Sequence, residues 1–119
     1  MIKGGYDTQL KDKDFFNAVY TLLIKNIEVL KDIENKKVRK KLPLPLTKEK
    51  FEKTSKMLQA LNQIIENLDY NLEGSNILAG VLNDIGLLIS KGNIAENSIE
   101  ANNYYNIAIN VINELKEGL

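Results

Sequence analysis

The chain has 119 residues, 44% of them hydrophobic and 27% charged, with 16 basic and 16 acidic side chains and neither cysteine nor histidine. Such a length fits one domain, long enough to bury a real core and too short for two. The missing residue types remove disulfides, thiolate metal sites, cysteine nucleophiles and histidine-based acid–base or phospho-acceptor chemistry, so no enzyme, metal centre or cofactor is expected.

The first predicted helix runs from about residue 12 to 34, where Phe15, Phe16, Val19, Leu22, Leu23, Ile27 and Leu30 recur at three and four residues and form one apolar stripe. Tyr20 and Ile24 fall beside the stripe and widen it. Asp12 or Asp14 can cap its start, where a carboxylate also suits the positive end of the helix dipole.

A basic and proline-containing stretch follows, Lys36 to Lys50, KKVRKKLPLPLTKEK. Five of its first six residues are basic, a composition open to phosphate binding. Yet the chain has a single arginine, few aromatics lie nearby, and Asp32, Glu34, Glu49 and Glu52 surround the cluster, so nucleic acid is not the expected partner. Proline fixes φ and biases the residue before it toward extended geometry, which places Leu42, Leu44 and Leu46 on one side of an extended strip. These leucines either fold back over the bundle end or dock to a partner.

The second helix is expected at about 48 to 68 with Thr47 as its cap. Phe51, Leu58 and Ile65 stand seven apart, with Thr54, Leu61 and Leu68 three residues behind each, a heptad suited to packing along a long neighbour. A turn at residues 69 to 75 uses Asn71 and Gly74, and Ser75 is the expected cap of the third helix, at about 76 to 91. That helix carries Ile77, Leu78, Val81, Leu82, Ile85, Leu88 and Ile89, is the least charged, and is therefore expected to be the most buried. Gly80 and Gly86 inside it imply close approach of a neighbour, and Gly92 reads as a terminating glycine. The fourth helix, about 96 to 117, starts from Asn93 with Glu96 or from Ser98 with Glu100, and runs through Tyr105, Ala108, Ile112 and Leu115.

Four amphipathic helices joined by two short links and one longer link define an all-α fold: a single-domain antiparallel four-helix bundle spanning 1 to 119, in up-down topology, with the longer connection between helices one and two. Di-metal carboxylate bundles need histidine, so that chemistry is not expected. Asp84 and Glu66 read as rim charges. Tyr104 and Tyr105 point about 100° apart on a helix, so one is core and the other lies near the surface among Asn102, Asn103, Asn106 and Asn110. With Ile107 and Ile109 nearby, helix four has more apolar surface than one core stripe requires.

The zero net charge is unevenly divided. Residues 1 to 56 hold 14 basic and eight acidic residues, an excess of +6, and the remainder carries −6. The opening MIKGGYDTQL lacks an apolar run of signal-peptide length, and no stretch reads as a membrane span, so a cytoplasmic, unexported protein without membrane association is expected.

Several stretches resemble the flagellin export chaperone family: Tyr6 near the N-terminus, the rhythm of FFNAVYTLLIKNIEVLKDI, the helix-two end ALNQIIENLDYNLEGSNI, and GNIAENS before a final helix ending INELKE. Leu68, Asp69, Gly74 and Ile77 match the family's leucine-aspartate pair, glycines and isoleucine loosely, and Gly92-Asn93 echoes its alanine-asparagine pair. The chain departs from the family where helix three has Gly80, Leu82, Ile85 and Gly86 in place of tyrosines, and in its LPLPL link. The resemblance implies a cytoplasmic four-helix bundle that holds the C-terminal segment of flagellin before secretion. Grooves between helices would accept that amphipathic segment, with Leu42, Leu44, Leu46, Tyr104, Tyr105 and Ile109 as contacts or as a mobile cover. The competing expectation is a helical interaction module or homo-oligomeric assembly subunit, of immunity or antitoxin type, driven by its basic and acidic halves.

Overall fold

Four helices make up the computed structural model, which describes residues 13–36 and 44–118. They are α1 (Lys13–Lys36), α2 (Leu44–Glu66), α3 (Ser75–Ile94) and α4 (Ser98–Glu117). α1 packs against α2 and α4, and α3 against the same two, so α1 and α3 stand on one diagonal and α2 and α4 on the other. Contacts fix the directions. Ser98 at the start of α4 meets Glu34 at the end of α1, and Lys116 at the end of α4 donates to Thr21 Oγ1 in the first half of α1 at 3.1 Å. The result is the expected all-α, up-down antiparallel bundle. It is elongated, 55 × 22 × 20 Å.

The core is a stack of seams contributed by all four helices. α1 gives Phe16, Tyr20, Leu23, Ile27 and Leu30; α2 gives Met57 and Leu61; α3 gives Leu82, Ile85 and Ile89; α4 gives Ala101, Tyr105, Ala108 and Ile112. Spacings alternate between three and four, as knobs-into-holes packing requires. Tyr20 is core rather than flank, and burial pushes its phenol from 10.0 up to about 12.

Two registers differ from expectation. On α1 the seam is rotated so that Phe15 and Leu22 lie 57% exposed, outside the core stripe. On α2, Phe51 is 61% exposed while Thr54 and Leu61 are buried, and the seam reads Lys50, Thr54, Met57, Leu61. The physical reason is at the bundle end, where Glu34 continues the α1 seam and Lys50 turns inward to meet it.

Caps and glycines also shift. α2 begins at Leu44, so Thr47 lies inside the helix rather than capping it; proline in a first turn costs no hydrogen bond, because the first N–H groups have no intrahelical partner. Helical backbone from Leu44 replaces the extended strip expected for Leu44 and Leu46; Leu42, like Tyr6, Asp12 and the basic residues 37–41, lies outside the described residues. Asp14 falls in the first turn of α1 and complements the dipole. Gly74 is the α3 N-cap residue in a left-handed conformation (φ 89°), and Ser75 donates its hydroxyl to the Asp69 carbonyl at 2.7 Å instead of capping. Asn97 caps α4 by accepting from the Glu100 N–H at 2.8 Å. That Asn-x-x-Glu spacing matches the one expected at Asn93, one turn earlier.

Candidate functional site

The α3–α4 seam is closed. Gly92 does not terminate α3 but sits buried within it, because the Tyr105 ring lies where a side chain would be: a Cβ on Gly92 would stand 2.3 Å from Tyr105 Cε1. On the α2 side, a Cβ on Gly86 would meet Leu58 Cδ2 at 3.3 Å, the close approach expected there. Gly80 is different, since among the described residues nothing lies within 4 Å of its Cβ position.

The α1–α2 seam is open. Val19, Leu22, Leu23 and Asn26 on α1 face Met57 and Ala60 on α2 across a groove of about 550 Å³. Its α2 rim carries Glu49, Glu52, Lys53 and Lys56, charges of both signs. Further along the same two helices a second depression of about 360 Å³ is lined by Phe15, Phe16, Ile64 and Leu68. An apolar floor with a mixed-charge rim suits the apolar face of an amphipathic helix, anchored at positions three, four and seven residues apart.

At the end of the bundle opposite Phe15 this groove is closed by a buried polar cluster. Lys50 Nζ pairs with Glu34 Oε2, and both side chains are essentially without solvent contact. Ser98 Oγ donates to Glu34 Oε1 at 2.9 Å, so the carboxylate joins α1, α2 and α4. The Lys50 ammonium also stands 6.0 Å from the centroid of the Tyr105 ring. Thr54 Oγ1, one turn from Lys50, is buried without a hydrogen-bond partner among the described residues. Such a pair carries a large desolvation penalty, offset only while both charges remain matched, so it fixes the register of the α1–α2 hairpin more than it adds stability. Its chemistry is structural. Among the described residues no group of three or more acidic side chains could hold a metal ion.

The expected contact residues on α4 differ in exposure. Tyr105, expected among the partner contacts, is wholly buried, so it is the core member of the tyrosine pair and unavailable to a docked segment. Tyr104 is half-buried, its ring 5.9 Å from Lys91 Nζ. Ile109 is half-buried and packed on the core. The backbone of Leu44 and Leu46 lies in the first turn of α2, and Leu42 is outside the described residues. Sequence reasoning missed Glu34 and Lys50. The signal was present: Glu34 follows Phe16, Tyr20, Leu23, Ile27 and Leu30 in an unbroken three-four alternation.

α3 meets the length and composition of a membrane-crossing helix, with a mean hydropathy of 1.3 over its window, where no such span was expected. Its outer face nonetheless leaves Ile77, Leu87 and Ile94 74%, 58% and 78% exposed. Four of the six excess positive charges of residues 1–56 fall in 37–41, outside the described residues. Compared with known proteins, the chain matches no family model, no curated protein and no solved structure.

Proposed function

We propose that this chain is a non-enzymatic, chaperone-like binding protein of the kind the sequence resembles, taking an amphipathic helical segment of a protein partner into the α1–α2 groove. A flagellin-type C-terminal segment is the candidate occupant, and holding it there would keep it from assembling prematurely. The observation that supports this reading is the half-open seam, in which Leu22 and Phe15 are 57% exposed on a helix that buries Phe16, Leu23, Ile27 and Leu30. Leu22 in the groove and Phe15 in the neighbouring depression gain about 25 cal/mol per Å² of apolar surface when a partner covers them.

The test is titration calorimetry of the full chain with a flagellin C-terminal peptide, comparing Leu22→Glu with Tyr104→Ala. Leu22→Glu should abolish binding while leaving the melting temperature nearly unchanged, and Tyr104→Ala should bind as the parent does. Equal binding by Leu22→Glu and the parent would remove the groove from the account. Absence of binding by the parent would remove this class of segment.

A further inference from the structure

The outer face of α3 carries a second three-four stripe that the core does not use: Ile77, Gly80, Asp84, Leu87, Lys91 and Ile94. All six are exposed. The spacing is that of heptad a and d positions, the pattern that places side chains along one partner helix. Gly80 is the informative member. A glycine inside a helix costs about 1 kcal/mol relative to alanine, and among the described residues no neighbour uses the space it leaves.

From the layout of this stripe we infer that α3 pairs with α3 of a second copy of this chain, antiparallel, about a two-fold axis passing between Ile85 and Gly86. In an antiparallel pair of helices each a position faces a d position of the other. Placed so, the stripe is its own complement. Ile77 meets Ile94 of the second copy, Asp84 meets Leu87, and Gly80 meets Lys91. The absent side chain at Gly80 leaves room for the Lys91 stem, whose ammonium then reaches Asp84 one turn further along. The two-fold axis repeats this ion pair, so one aspartate and one lysine per chain give two cross-pairs, and the self-complementarity is what an isologous dimer requires. A parallel pair would instead set Asp84 against Asp84 and Lys91 against Lys91.

Apolar character is consistent with that occupant. α3 is the least charged helix, with Asp84 and Lys91 as its two charged residues, and both lie in the stripe. The strip is one helix wide, near the low end of specific interfaces, so association should depend on concentration. α3 is diagonal to α1. Pairing through its outer face therefore leaves the α1–α2 groove free, and the inference does not rest on what that groove binds.

Sedimentation equilibrium of the full chain over a concentration series reads the dimer directly. Leu87→Glu should leave only monomer. Lys91→Asp should weaken dimerisation roughly tenfold, because two opposed pairs become like-charge pairs, and Asp84→Lys combined with Lys91→Asp should restore it. The orientation is read by oxidation, since the chain has no cysteine of its own. A mixture of Ile77→Cys and Ile94→Cys chains should form a mixed disulfide that neither chain forms alone. Because all substituted side chains are exposed, melting of the monomer should not change and serves as the control for folding. Monomer at millimolar concentration, failure of the double swap to restore pairing, or cross-linking of Ile77→Cys with itself would each overturn the inference.

Discussion

Two helix seams of this bundle are built from similar material to opposite ends. Along α3–α4 a glycine is removed from the surface to admit a tyrosine ring, and Tyr105 fills the space against Gly92 without residual solvent contact. Along α1–α2 an equally apolar set, Phe15, Val19, Leu22 and Met57, is left around a groove. The difference lies in how the helices are held. The closed seam joins helices separated by the short link at residues 95–97, with a cap from Asn97 that fixes the entry of α4. The open seam joins helices separated by residues 37–43 and is fastened at one end by Glu34 and Lys50. Hydrophobicity alone does not close a seam; complementary shape does.

The comparison can be broken most severely at the fastening. Glu34→Ala strands the Lys50 ammonium in the core and should lower stability by about 3–5 kcal/mol, measured by urea denaturation. The paired change Glu34→Leu with Lys50→Met should recover most of that loss, because a matched apolar pair replaces a matched charged one. If the double variant is as unstable as the single, the pair does more than hold register. The closed seam is broken by Gly92→Ala: with Tyr105 Cε1 at 2.3 Å from the new methyl, the ring or the helix must move, and about 1–3 kcal/mol should be lost. Adding Tyr105→Leu to Gly92→Ala should relieve part of it. The smallest effect sharpens the contrast. Leu22→Ala should change stability by within about 0.5 kcal/mol, where Leu82→Ala, the same substitution in a fully buried position, should cost about 2–5 kcal/mol.

The fold was legible in the sequence because helical period, breakers and link lengths agree over nearly the whole chain. Register was less legible. Phe15 and Phe16 are adjacent and equally apolar, so periodicity admits either into the stripe; the choice is made by Glu34, whose place in the same alternation only gains meaning once Lys50 is known to oppose it. Gly92 shows the same limit. At the end of an apolar run before Asn93 it has the position of a terminator, and only the Tyr105 ring, thirteen residues later, shows that it serves close packing instead. Long-range partners are what a one-dimensional reading lacks. Leu44 and Leu46 illustrate a local failure, in which the extended bias of proline yielded to its tolerance of the first helical turn.

The fastening at Glu34 and Lys50 also makes the α1–α2 hairpin a lever. Helices of 24 and 23 residues are about 35 Å long, so a rotation of about 10° around a pin at one end moves the far end by about 6 Å, comparable with the rise of one helical turn. Any opening of the groove by rotation about this pin would be smallest beside Glu34 and greatest beside Phe15.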